Sequence, residues 1–94
     1  MTPLIRSFAD KDTRAIFHRA PVPRFRAFEN AARRKLRLLH RARSLHDLAG
    51  PGLGLEALKH ERKGQYSIRI NRKYRVCFTW EDGDARDVEI TDYH

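Results

Sequence analysis

Ninety-four residues with 40% apolar content allow one small domain, residues 1–94, with a single modest core and too little chain for a second. The one cysteine, Cys77, excludes an internal disulfide, and no apolar run approaches the ~20 residues that cross a bilayer, so a soluble chain in the reducing cytoplasm is expected. The net charge of +8 is uneven: residues 81–94 hold six acids against the single base Arg86, which leaves 19 bases against six acids in the first 80 residues, a body that attracts polyanions.

In chain order, "LIRSF" predicts a short strand; the opening "MTPLIRSFADKDTR" has too short an apolar stretch and too early an acidic pair for a signal peptide. In "ADKDTRAIFH", Asp10 is placed to cap a short helix that turns Ala15, Ile16 and Phe17 inward. "APVP" breaks the chain at Pro21 and Pro23. A helix is predicted over residues 24–42, because Phe25, Phe28, Ala32, Leu36 and Leu39 fall in one sector while Arg26, Arg33, Arg34, Arg37 and Arg41 fall roughly opposite. Residues 24–43 hold eight bases and one acid, Glu29, so the charged face lacks its usual neutralising partners and suits nucleic acid or an acidic protein. "SLHDL" reads as one more helical turn and "AGPGLG" as a loop.

The rest reads as β-structure. "LEALK", "YSIRI", "YRVCFTW" and "DVEITDY" are the strands, "HERKGQ" and "NRK" the turns between them, and "EDGD" a hairpin centred on Asp82 and Gly83. Alternation puts Tyr66, Ile68, Ile70, Tyr74, Val76, Phe78, Trp80, Val88 and Ile90 on one face, against which the helices pack. The fold class is therefore α+β, two N-terminal helices on one face of a curved antiparallel sheet of about four strands. The other face carries Ser67, Arg69, Asn71, Arg75, Cys77, Thr79, Glu89, Thr91 and Tyr93, with Lys59, His60, Arg62, Lys63 and Lys73 nearby in sequence and His94 after it. A cationic concavity edged by a phenol and an imidazole suits phosphate binding and acid–base work on a phosphodiester.

"LKHERKGQYSIRINRKYRVCFTW" together with "VEITDYH" resembles the HigB branch of the RelE/ParE superfamily, toxins of type II toxin–antitoxin modules also described as plasmid-maintenance killer proteins. "IRSF" and the Arg-rich helix extend the likeness over nearly the whole chain. The resemblance implies a RelE-like compact fold and a ribosome-dependent endoribonuclease, an mRNA interferase that inhibits translation. It also implies silencing by a HigA-like helix-turn-helix antitoxin, with operator DNA met only through that complex. It maps the active site onto Lys59, Arg75, Tyr93 and His94. Where some relatives carry a histidine three residues before the lysine, this chain has Glu56, and His60 follows the lysine directly.

Cleavage by a ribose 2′-hydroxyl needs a proton removed, charge on the phosphorane stabilised and a proton given to the leaving oxygen. His94 suits proton transfer, Arg75 the charge clamp, Lys59 added positive charge, Tyr93 stacking or hydroxyl donation, and Glu56 the general base in place of histidine. Arg26, Arg33, Arg34, Arg37, Arg41, Arg62, Lys63, Arg69 and Lys73 form the surface expected to meet RNA or the ribosome. His18, His40 and His46 show no metal-ligand spacing, and no cofactor or zinc site is expected. The alternative is a non-catalytic ParE-like toxin that binds a protein such as DNA gyrase, since one scaffold serves both activities.

Overall fold

Asp10 sets the first helix in place. In the computed structural model, which describes residues 5–92, Asp10 has extended backbone, and its carboxylate accepts the Thr13 N–H at 2.6 Å, opening α1 (Lys11–Phe17). The fully buried Thr13 hydroxyl donates to Asp10 at 3.2 Å and accepts the Ile90 N–H at 3.0 Å. One side chain thus completes a helix cap and ties the helix to the sheet. Arg19, at φ 68°, ends the helix: its N–H reaches the Ile16 carbonyl and the Ala20 N–H reaches that of Ala15, which satisfies the last carbonyls.

The single helix predicted over residues 24–42 is instead two pieces, a 3-10 turn at Pro23–Phe28 and α2 at Glu29–Arg41. The 3-10 geometry brings residues three apart onto one side. Phe25 and Phe28 therefore both face Tyr74, at ring separations of 6.4 and 4.5 Å. A second 3-10 turn, Leu45–Leu48, buries Leu48.

Four strands follow: β1 (Glu56–Ala57), β2 (Gln65–Arg69), β3 (Arg75–Glu81) and β4 (Asp84–Thr91), antiparallel in the order β1-β2-β3-β4. Asn71 closes the β2–β3 turn, its side-chain oxygen accepting the N–H groups of Lys73 and Tyr74 at 2.8 Å. Asp82 and Gly83 both take positive φ in the two-residue β3–β4 turn, the geometry that matches strand twist. "LEALK" yields only the two residues of β1. "LIRSF" forms no strand among the described residues; its segment runs parallel to β4 through isolated bridges at Ile5 and Phe8, and the Arg6–Asp84 ion pair at 2.7 Å fastens it.

Strand β4 starts three residues earlier than the pattern predicts and contains a bulge. Cys77 pairs with Glu89 but Thr79 with Arg86, so an extra residue sits between, and Asp87 carries a positive φ of 52°. Ala85 and Val88, three apart, consequently both point into the core. There, Ile68, Val76, Phe78, Val88 and Ile90 meet Ile16, Phe25, Ala32, Leu36 and Leu39, all at 0 or 1% exposure. No described helix is long and apolar enough to cross a membrane.

Candidate active site

The sheet face opposite the helices is not left open to water. Residues 53–58 pair edge-on with β2: Arg69 N–H donates to the Leu53 carbonyl at 2.7 Å and Leu58 N–H to that of Gln65 at 2.9 Å, continuing the β1–β2 ladder. On this face Ser67, Arg75 and Cys77 are buried. Arg75, which alternation places on a face away from the helices, is a buried residue with directed partners.

Its guanidinium is held at two of its three nitrogens. Nε donates to Ser67 Oγ at 2.7 Å, while Nη2 donates to the Gly54 carbonyl and pairs with Glu56 Oε1 at 3.1 Å. The Arg75 side chain is 11% exposed and that of Glu56 57%, so the carboxylate sits at the mouth and the guanidinium beneath it. Gly54 has φ +60°, and a Cβ there would lie 3.5 Å from Arg75 Nη2. Glycine supplies the left-handed turn.

One pleat along the sheet, Ser67 and Glu89 flank Cys77. Arg62, just ahead of β2, reaches Gln65 Oε1 at 3.0 Å and Glu89 Oε1 at 3.3 Å, and so ties the segment before β2 to β4. Burial pushes the Cys77 thiol up from its ordinary 9.0 to about 11; Arg62 and Arg75 pull the other way and Glu89 adds to the rise. A thiol held neutral in this way is a packing group rather than a nucleophile.

Lys59 is exposed and precedes a 3-10 turn at His60–Arg62 in which His60 takes φ 57°. Lysine and histidine thus stand on the segment that Arg62 fastens. Tyr93 and His94 lie outside the described residues. Lys63 and Arg69 are exposed, and so is Lys73, whose ammonium lies 5.5 Å over the Tyr74 ring on the helix side. On the opposite layer Arg26, Arg34, Arg37 and Arg41 are exposed along the 3-10 turn and α2. Arg33 is engaged within the fold: it donates to the Ile16 carbonyl at 3.1 Å and the Ala20 carbonyl at 3.5 Å, and lies 3.8 Å from Glu29. Beside it, Arg19, Asn30, Arg34 and Arg37 help line a shallow depression of about 250 Å³. Among the described residues no three His, Cys, Asp or Glu side chains gather as a metal site requires.

The alternation of the strands located Arg75 and its neighbours. It did not identify what holds them: the Gly54 carbonyl, the Ser67 hydroxyl, or the Arg62–Glu89 pair. Ser67 was findable as the residue diagonal to Arg75 on the neighbouring strand. The Gly54 contact had no signal beyond the glycines of "AGPGLG".

Comparison with known proteins identifies the family of the chain. A family model of HigB-like toxins, described as the RelE-like toxin of the type II toxin–antitoxin system HigB, matches residues 4–94. Toxin HigB-1 of Vibrio cholerae is 45% identical over 65 residues, 68% of each chain, and Endoribonuclease HigB of Proteus vulgaris is 26% identical over 97% of this chain and 100% of its own. The YoeB–YefM complex from Staphylococcus aureus contains a chain of the same fold, with a TM-score of 0.61 at 19% identity over 96% of this chain and 97% of that one. The chain is a member of the HigB-like family of RelE-like toxins, the toxin components of type II toxin–antitoxin systems.

Proposed function

We propose that this toxin is an endoribonuclease that cuts mRNA on the ribosome, a single domain over residues 1–94 acting in the cytoplasm and neutralised by a helix-turn-helix antitoxin. The observation that carries this reading is the fixed Arg75 guanidinium with the Glu56 carboxylate 3.1 Å away at the mouth of a cationic face. The Proteus vulgaris relative's designation as an endoribonuclease supports it.

In the proposed reaction the ribose 2′-oxygen attacks the adjacent phosphorus and the bond from phosphorus to the 5′-oxygen breaks. A 2′,3′-cyclic phosphate and a free 5′-hydroxyl result. Arg75 stabilises the charge that builds on the equatorial oxygens, a task suited to a donor fork already aimed and partly out of water. Glu56 is assigned the 2′-hydroxyl proton, which it accepts once the phosphate displaces it from Arg75. His94 is assigned the proton for the leaving oxygen, Tyr93 a stacking or hydroxyl contact, and Lys59 further positive charge. With so few strong acid–base groups, the ribosome's alignment of the mRNA supplies much of the barrier reduction. The antitoxin is the stable partner, and operator DNA is met only through that complex.

The test is primer-extension mapping of a defined mRNA incubated with the protein, with and without translating ribosomes, beside Arg75→Ala. Cuts within codons that need ribosomes and vanish in the variant are expected. Intact mRNA in every lane, from a protein that still arrests growth, would refute the nuclease and favour binding to a protein such as gyrase.

A further inference from the structure

Arg75 carries five N–H donors in a rigid plane. One edge of that plane, formed by Nε and Nη2, is turned onto the protein: Nε donates to Ser67 Oγ at 2.7 Å, and Nη2 to the Gly54 carbonyl. Among the described residues Nη1 makes no hydrogen bond. The end-on pair, Nη1 and Nη2, is therefore the edge left for an incoming phosphate, and the Glu56 carboxylate already meets it at Nη2. A guanidinium grips two oxygens only when one of its edges faces them squarely, so the anchoring of Nε decides which edge is presented.

Register explains how the anchor reaches. Arg75 pairs with Arg69 across β2, while Ser67 pairs with Cys77, so the arginine leans diagonally across the sheet to Ser67. Ser67 is fully buried, beside Glu56 of β1 in register. Its hydroxyl fixes the inner end of the fork.

We infer that Ser67 is a positioning residue that aims Arg75 at the scissile phosphate. The inference rests on the reading of Arg75 as the charge clamp and adds the residue that sets its geometry. Loss of the hydroxyl leaves the Nε–H without its acceptor and lets the plane rotate, and displacements of about 1 Å in such groups cost roughly 10²-fold in rate.

The experiment compares the wild type, Ser67→Ala, Ser67→Thr and Arg75→Ala in single-turnover cleavage on programmed ribosomes. The Arg75 Nε–H resonance of ¹⁵N-labelled protein is followed in parallel and assigned by its absence from Arg75→Ala. Ser67→Ala is expected to cleave roughly 10- to 100-fold more slowly at saturating ribosomes, with ribosome affinity unchanged, a Tm lowered but still above the assay temperature, and the Nε–H signal broadened by exchange. Ser67→Thr, which keeps the oxygen, is expected to retain both signal and rate. Wild-type cleavage by Ser67→Ala beside an inactive Arg75→Ala overturns the positioning role and leaves the clamp standing. A slow Ser67→Ala whose Nε–H signal is unaltered overturns it too. Cleavage by Arg75→Ala at the wild-type rate removes the clamp, and this inference with it.

Discussion

Strand β3 has two buried faces, and they are closed by different physics. Toward the helices, Val76 and Phe78 are fully enclosed by aliphatic and aromatic side chains, an arrangement held by burial of area without directional demands. On the other side, Arg75 and Cys77 are nearly as far from water, yet Arg75 is held by directed hydrogen bonds to Gly54 and Ser67, and the Arg62–Glu89 pair stands beside Cys77. The first face answers to volume, the second to individual atoms. Substitutions on the first should therefore cost stability, and those on the second should alter geometry and rate well before they unfold the domain.

The largest effect belongs to the helix side. Phe78→Ala empties the centre of the only extensive apolar cluster among the described residues, and is expected to cost about 3–5 kcal/mol in urea unfolding. Small domains hold roughly 5–15 kcal/mol in total, so a chain at the low end of that range would be largely emptied of its stability. A loss below ~1 kcal/mol would show that the two faces do not differ as argued. Next comes Gly54→Val, on the other face. A β-branched residue at φ +60° carries strain of about 1–2 kcal/mol, and its side chain grows toward the Arg75 guanidinium. Cleavage should fall much further than the shift in Tm implies; proportionate losses of both would mean that Gly54 serves folding alone.

The same division decides what the sequence made legible. Hydrophobic periodicity depends only on which residues avoid water, and it locates much of the helix-side core, including Ile16, Phe25, Leu36, Ile68 and Phe78, while the buried Val22, Leu48 and Ala85 fall outside its pattern. It erred where local geometry breaks a period. Phe28 takes φ −135° and ends the 3-10 turn before α2, and the bulge at Asp87 lets Arg86 and Glu89 share the outer face. Alternation likewise places Arg75 outward but says nothing of its partners, because Gly54 and Glu56, which meet its guanidinium, belong to a segment some twenty residues earlier with no periodicity of its own. Glu56 stands where some relatives carry a histidine, and its position against Arg75 emerges only once β1 is paired with β2.

Cys77 offers a smaller effect with a defined pH signature. Its thiol has a folded pKa raised from 9.0 to about 11, so the native state holds the proton more tightly than the unfolded chain. That contribution is fully present below pH 9 and is lost as pH rises through 11, because the unfolded thiol ionises first. At pH 10 the loss amounts to about 1 kcal/mol, absent from Cys77→Ala. Urea titrations of both proteins from pH 7 to 10.5 read the difference, and parallel curves would contradict the burial argument. Alkylation of the native thiol at pH 8 should likewise be slow until urea opens the fold.

The smallest effect tests whether the outer face is held as a unit. Arg62 and Glu89 are 28% and 32% exposed at 3.3 Å, so solvent screens them and the pair contributes at most about 1 kcal/mol to stability. Position matters more than energy here, since Arg62 lies three residues beyond Lys59 and links that segment to the far strand. Arg62→Glu sets two carboxylates together above Cys77 and should release the segment; adding Glu89→Arg reverses the pair and should restore it. A double-mutant cycle on unfolding is expected to show coupling of about 0.2–1 kcal/mol. The same cycle on single-turnover cleavage should show a larger coupling, because a freed Lys59 costs rate without costing the fold. Equal couplings in the two cycles would make Arg62–Glu89 an ordinary surface ion pair, and would leave Lys59 to be positioned by the backbone of its 3-10 turn alone.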